Sequence, residues 1–192
     1  MGGLMRWLRH LFAPSVDRWL DAAAMARIAD AIEASERLHD GEICFAVEPG
    51  LPPSALWEGQ APRERAREVF ARLGVWDTAG NNGVLLYLLV ADHRIEIIAD
   101  RGFEGRVDAG QWRAACERIE AGLRTGEPAA AVVAGVEALA AVIAPHFPPT
   151  ERGADTSFAT GRACFEGRRR FRTVRRRAGR PARSGPCARR AQ

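Results

Sequence analysis

The sequence contains no lysine, and all 28 of its basic residues are arginine. Because the chain is also rich in alanine and glycine, this bias is typical of GC-rich codon usage and not of selection for guanidinium chemistry. A single arginine therefore carries less functional weight here than it would in an average chain.

Cysteine is scarce and the familiar catalytic motifs are missing. The four cysteines show no C-x-x-C spacing, and Cys44 and Cys116 fall in apolar patterns, so both are interpreted as small buried side chains in a reduced, cytoplasmic setting. The sequence has no G-x-S-x-G, P-loop or H-E-x-x-H motif and no Cys/His nucleophile pair. These absences exclude the common hydrolase signatures and leave the catalytic residues unknown.

Long hydrophobic runs are also absent. The longest apolar run, Val84–Ala91, is far shorter than the roughly 18 residues that span a bilayer, and no signal-peptide core follows the N-terminus. Residues 1–12 are short, basic and aromatic. We interpret them as an extension that packs on the body, with peripheral contact to an anionic membrane as the alternative. The expected location is cytoplasmic, with a membrane-peripheral one as the alternative.

Charge divides the chain into a body and a tail. Residues 1–150 hold 15 arginines and 21 acidic residues, a net charge of −6, whereas residues 151–192 hold 13 arginines and 3 acidic residues, a net charge of +10. Residues 149–192 have almost no apolar periodicity, so we predict a disordered, arginine-rich tail. A shifted frame in GC-rich DNA would give the same composition, which leaves an out-of-frame C-terminus open. A nucleic-acid-binding arm is the less favoured interpretation.

Residues 14–148 carry the hydrophobic patterns of one α/β domain in the order α-β-α-β-β-α-α. This order predicts a small mixed β-sheet sandwiched by helices. The first two strands should form a right-handed parallel unit, and the second and third an antiparallel hairpin. The predicted bounds, in chain order, are Pro14–Leu38, Glu42–Val47, Pro62–Leu73, Gly83–Val90, Arg94–Ala99, Ala109–Leu123 and Pro128–Ile143.

Polar residues gather in the loops at one end of this predicted sheet. A hairpin brings the start of its first strand beside the end of its second, so the loop before Gly83 should lie near the residues after Ala99. His39 and Asp40, before a parallel first strand, would reach the same end. Oxygen ligands from carboxylates and amides suit Mg²⁺ or Ca²⁺. The candidate metal ligands are Asp77, Asn81, Asn82, Asp100 and Asp108.

Each candidate also has a structural interpretation, which the residue pattern alone favours. The Asn81-Asn82-Gly83 run is a turn signature, and Asp108 stands where it would cap a helix. Asp77 could pin its loop through hydrogen bonds to the backbone. His39 is more simply a structural histidine than an acid or base.

The region around these loops resembles the TPM domain family, sometimes labelled TPM phosphatases and including thylakoid lumen and repair-associated proteins. The resemblance implies an α/β sandwich, Ca²⁺ binding and acid phosphatase activity at this loop cluster. Longer members carry an N-terminal signal and a membrane anchor that this sequence lacks, so Mg²⁺ becomes the more expected ion. The matching residues are Arg65-Ala66, Phe70, Val75–Thr78, Asn81–Leu85, Ile95–Ile97 and Asp100–Gly102, with weaker agreement from Trp19 to Pro148.

The leading hypothesis is therefore a divalent-cation-binding domain, holding Mg²⁺ or Ca²⁺, with weak phosphatase activity. The alternative is a non-catalytic module that contacts another protein or a membrane through the polar loops or through exposed aromatics such as Trp57. Nucleic acid is the least expected partner.

Overall fold

Four strands form one mixed sheet in the order β3-β2-β1-β4 in the computed structural model, which describes residues 2–149 and 172–175. The strands are β1 (Glu42–Glu48), β2 (Gly83–Leu89), β3 (Arg94–Ala99) and β4 (Arg172–Arg175). The helices are α1 (Gly2–Leu11), α2 (Val16–Trp19), α3 (Ala22–Ser35), α4 (Pro53–Trp57), α5 (Pro62–Arg72), α6 (Ala109–Arg124) and α7 (Pro128–Ile143), with a 3₁₀ turn at Arg101–Phe103.

The strand pairing follows the predicted pattern. β1 runs parallel to β2, with Glu42 opposite Gly83, and β2 pairs antiparallel with β3, with Val84 opposite Ala99. Every residue of β2 is buried, as expected for a central strand that helices cover on both faces. The sheet therefore has a polar loop cluster at the start of β1 and β2 and a second set of turns at their ends.

Helices cover both faces of the sheet, which confirms the predicted sandwich. Ile43, Phe45 and Val47 of β1 point to the core formed with α3, α6 and α7. Cys44 and Ala46 point to the smaller core formed with α4 and α5. This alternation is the two-residue period of a strand.

The predicted helix from Pro14 to Leu38 is divided in the structure. Leu20 leaves the helical conformation, and Asp21 starts α3 by accepting a hydrogen bond from the amide of Ala24 at 2.7 Å. A cap of this kind satisfies an amide that has no intrahelical partner. The proline-rich loop after β1 differs too, because Pro53 begins the short helix α4, a position where its missing N–H costs nothing.

Part of the predicted tail has regular structure. Arg172–Arg175 pair antiparallel with the free edge of β1, whereas the sequence pattern assigned no strand beyond residue 149. The β-branched pair Thr173-Val174 favours an extended conformation, a signal too short to detect among so many arginines. The remainder of the predicted tail, residues 150–171 and 176–192, lies outside the described residues.

Helix α1 is attached to the β2–β3 turn through its polar side. Arg6 donates to Asp92 and to the carbonyl of Gln60, both at 3.0 Å, and His10 Nε2 lies 3.0 Å from the other Asp92 oxygen. The amide of Leu51 donates to His10 Nδ1 at 2.9 Å, so the proton of the neutral ring is on Nε2. Residues 2–12 therefore pack on the body, although five of their large apolar side chains stay exposed: Leu4, Met5, Leu8, Leu11 and Phe12. No helix within residues 2–149 has the length and apolar character to cross a bilayer.

Candidate functional site

The polar loops meet at one end of the sheet, as the hairpin topology predicted. We call residues 39–41, 77–82 and 100–102 together the Asx rim. The amide of Asp100 donates to Gly83 O, and the amide of Gly102 donates to Asn81 O, both at 2.9 Å. The amide of Glu42 donates to Asn82 O at 3.1 Å. Backbone hydrogen bonds of the rim and of the adjoining Glu42 and Gly83 thus hold its three segments together.

Asn81 and Asn82 hold the rim together with their side chains. Asn81 adopts a left-handed backbone conformation (φ 49°) and accepts from Arg101 Nε at 2.9 Å. Asn82 is buried, and its side-chain nitrogen donates to Asp40 O at 2.8 Å. Since the side-chain nitrogen already donates a hydrogen bond to Asp40 O, Asn82 would bind a ligand through Oδ1.

Asp100 supplies the carboxylate of the rim. Its Oδ1 accepts from the amide of Arg101 at 2.7 Å. Its Oδ2 is buried and has no hydrogen-bond partner among the residues that the structure describes. A buried, unpaired carboxylate oxygen is costly, so this atom marks where a cation or donor would bind most favourably.

The other two predicted metal ligands, Asp108 and Asp77, have no contact with Asp100 that the structure describes. Asp108 caps α6, accepting from the amide of Gly110 at 2.9 Å, and no hydrogen bond described here links it to the Asx rim. Asp77 is exposed at the start of its loop. Within the described part of the chain, no group of three or more His, Cys, Asp or Glu side chains is placed to hold a metal ion. The rim therefore offers a mixed amide and carboxylate set, and the three aspartates do not converge.

His39 belongs to the rim, but its side chain is buried beneath the surface. Its ring is buried, and neither nitrogen has a hydrogen-bond partner within residues 2–149. Burial lowers the pKa of His39 below the ordinary histidine value, an effect that backbone groups of Gly41 and His39 itself only partly offset. The imidazole is therefore neutral at physiological pH. This agrees with the structural interpretation of His39.

Acidification should destabilise the fold through His39 and His10. Burial lowers the pKa of His10 as well, although Asp92 opposes the shift. Below about pH 6.5 the unfolded chain binds protons that the folded protein does not, so the free energy of unfolding falls with pH. We expect a decrease of at most about 1.4 kcal/mol per pH unit for each histidine between pH 6.5 and its folded pKa. Urea titrations from pH 7.5 to 5.5 would measure it.

Two substitutions test this pH dependence. His39→Leu removes one buried titrating group and should flatten the profile. His93 is exposed and has a left-handed backbone conformation (φ 50°) that Asn tolerates, so His93→Asn should leave the profile as it is. A wild-type stability that does not change between pH 7.5 and 5.5 would contradict the assignment.

A cleft of about 500 Å³ adjoins the rim along the open edge of β3. Its acidic side chains are Glu96, Asp100 and Glu104, and its basic ones are Arg63 and Arg113. Phe103 and Trp112 form its apolar wall, with ring centroids 5.5 Å apart. Two arginines thus line the cleft together with Asp100, and one of them, Arg63, pairs with Glu96 at 3.1 Å.

Cys116 also lines this cleft. Burial raises the pKa of its thiol to about 11, with Glu96 adding to the shift. Since the thiolate is the reactive form, this shift disfavours reaction of the sulfur at neutral pH. Cys44 is buried as predicted, whereas Cys116 is only half-buried.

A buried polar network on the α5 side of the sheet was not predicted from the sequence. Arg65 donates to both oxygens of Glu48, at 2.9 and 2.7 Å, and Tyr87 Oη donates to Glu48 Oε2 at 2.6 Å. The hydrogen bonds from Arg65 to Glu48 raise the pKa of the guanidinium, and burial raises the pKa of the Tyr87 hydroxyl. The signals present were a glutamate ending an apolar strand and the chain's single tyrosine. The network fixes α5 to β1 and β2.

Comparisons with known proteins agree on the fold. A family model described as the TPM domain matches residues 16–142. A solved structure, the NMR structure of the BA42 protein from the psychrophilic bacterium Bizionia argentinensis, is similar with a TM-score of 0.63 and 27% identity, covering 70% of this chain and 88% of that chain. The search of curated proteins found no match.

Proposed function

Since this chain belongs to the TPM domain family, we propose that it binds a divalent cation, Mg²⁺ or Ca²⁺, at the Asx rim. The ligand set consists of the Asp100 carboxylate with side-chain oxygens of Asn81 and Asn82. Asp77, exposed at the start of the same loop, is the candidate for a second carboxylate. Asp108 is left out of the set because its carboxylate caps α6. Hard cations take oxygen ligands of these types.

The buried Oδ2 of Asp100 carries this proposal. Among the described residues, Asp100 Oδ2 is the buried side-chain oxygen of the rim that has no hydrogen-bond partner. A cation bound there would offset the cost of burying an unpaired carboxylate oxygen. The remaining coordination positions would be filled by water, as is usual for Mg²⁺.

Weak phosphatase activity is the finer part of the proposal. The matched family model carries phosphatase in its name, and Asp100 lines the cleft together with Arg63 and Arg113. An ion held by Asp100 would polarise a phosphoryl oxygen and stabilise developing charge. The two arginines would hold the other phosphate oxygens through charge-assisted hydrogen bonds. The substrate class would be a phosphomonoester small enough for the cleft.

Replacing Asp100 by Asn should weaken cation binding at least about tenfold, because a neutral amide replaces the charged ligand. Asn keeps the shape of the side chain and its oxygen can still accept from the amide of Arg101. Calorimetric titration of the full chain with Mg²⁺ and with Ca²⁺ measures the change. The melting temperature should also rise with ion concentration in the wild type and less so in the variant.

Asp108→Asn is the matched control. Asn caps helices as well as Asp does, so this variant loses one negative charge without losing its cap and should bind the cation like the wild type. Equal losses in both variants would mean that only net charge matters and that the rim is not a site. If phosphomonoester turnover persists unchanged in Asp100→Asn, the catalytic part of the proposal fails while the binding part is judged by calorimetry.

A further inference from the structure

Helix α1 is amphipathic in the inverted sense, with its polar side on the protein and its apolar side in solvent. Arg6 and His10 face inward onto Asp92. The outward face carries five large apolar side chains, of which Leu4 is 72% and Phe12 79% exposed. An exposed, contiguous apolar surface on a soluble fold marks a place of interaction. We call this surface the α1 face; its residues are Leu4, Met5, Leu8, Leu11 and Phe12.

The helical spacing makes the α1 face continuous. Positions 4, 8 and 11 follow one another at intervals of four and three residues and so form a single stripe, which positions 5 and 12 widen. Arg9 lies at one border of the stripe and is exposed. Trp7 lies at the other and packs edge-on against Trp57, with ring centroids 6.4 Å apart. Trp57 itself is 83% exposed.

We propose that the α1 face and Trp57 bind the surface of a lipid bilayer, with α1 lying in the interfacial plane. An apolar stripe flanked by arginine and tryptophan is typical of helices that lie in the headgroup region, where Trp rings prefer to reside. Arg9 can extend its charged end to lipid phosphates while its stem stays with the apolar stripe. The contacts of Arg6 and His10 with Asp92 keep the stripe turned outward, so the surface is formed before binding.

A second copy of the chain fits the α1 face less well than a bilayer does. A helix of ten residues is about 15 Å long, and a stable protein interface buries about 800 Å² on each partner. The α1 face offers one such helix with a single further aromatic ring. A bilayer needs no complementary shape, and each exposed apolar side chain can enter it separately.

Depth-dependent fluorescence quenching tests the proposal on the full chain. Vesicles of phosphatidylcholine with 30% phosphatidylglycerol would contain lipids brominated along the acyl chain, and 0.5 M salt would suppress adsorption through the basic residues 151–192. Wild-type tryptophan fluorescence should be quenched. The double variant Leu8→Glu, Leu11→Glu should lower the partition coefficient at least about tenfold, because two charges would have to enter the interface.

Leu38→Glu provides the matched control. Leu38 is 60% exposed but lies next to His39, near the start of β1, whereas α1 lies near its end. This variant should be quenched like the wild type, and unchanged melting of all variants would exclude unfolding as the cause. Absence of quenching in the wild type, or equal loss in the Leu38 variant, would overturn the proposal. So would a dimer in light scattering that the double variant converts to a monomer without any quenching of the wild type.

Discussion

Replacing Arg65 by Ala should lower the free energy of unfolding by about 3–5 kcal/mol. The side chain of Glu48 is 4% exposed and that of Arg65 is 14% exposed, so the substitution leaves a buried carboxylate with Tyr87 as its remaining partner among the contacts described above. Removing one member of a buried ion pair costs far more than the pair itself contributes, because the other charge stays desolvated. Urea denaturation followed by circular dichroism would measure the loss.

Arg63→Ala is the internal control for this prediction. Arg63 precedes Arg65 on the same helix and pairs with Glu96 at 3.1 Å, but its side chain is 56% exposed. An exposed pair contributes below about 1 kcal/mol, so this variant should stay close to the wild type. If Arg65→Ala lowered the free energy of unfolding as little as Arg63→Ala does, Glu48 would have to be stabilised by something other than Arg65. A Glu48→Gln background should also reduce the effect of Arg65→Ala, since the charge that needs compensation is gone.

The architecture was readable from the sequence because the strands are strongly apolar and the connections are short. The run from Gly83 to Leu89 contains no charged residue, which identifies a central strand, and Asp92-His93 marks the tight turn that makes β2 and β3 a hairpin. These signals are local in sequence. The hairpin also predicted that Asn81 lies beside the residues that follow β3, because the register of a hairpin determines which residues of its two strands are neighbours.

The polar networks could not be predicted in the same way, because their partners are far apart in sequence. Glu48 and Tyr87 are 39 residues apart, and His10 and Asp92 are 82 apart. Whether such side chains meet depends on how α1 and α5 dock on the sheet, which hydrophobic periodicity does not specify. The inverted orientation of α1 is the clearest case. Periodicity identifies an apolar stripe, and only the docked structure reveals that it faces solvent.

The predicted metal ligands also divide into those that the local topology places together and one that it does not. Asn81, Asn82 and Asp100 meet because the hairpin brings their backbones together, a consequence of topology alone. Asp108 follows a 3₁₀ turn and a further loop, and its carboxylate satisfies the amide of Gly110. A cap residue and a metal ligand have the same side chain and the same preference for loops, so the sequence could not distinguish the two roles.

Gly83→Ala should be among the most disruptive single substitutions at the Asx rim. A Cβ at this position would lie 1.9 Å from the carbonyl oxygen of Val75 and 2.9 Å from its carbonyl carbon. Both are backbone atoms, and the amide of Val75 is itself bonded to Phe70 O at the end of α5. The loop therefore cannot yield as a flexible side chain would. We expect a loss of about 3 kcal/mol or more, which corresponds roughly to a 6–12 °C drop in melting temperature.

The same substitution should also abolish cation binding at the rim, because relief of the clash requires the 75–82 loop to move. Gly83 O accepts from the amide of Asp100 at 2.9 Å, so a displaced Gly83 separates Asp100 from Asn81 and Asn82. Gly110→Ala is the matched control, since the nearest atom to a new Cβ there is the flexible carboxylate tip of Asp108 at 3.0 Å. Alanine also favours a helix over glycine by about 1 kcal/mol. Calorimetry and thermal melting of both variants would test this prediction. If Gly83→Ala melted and bound ions like Gly110→Ala, the close approach of Gly83 to Val75 would not be what positions the rim.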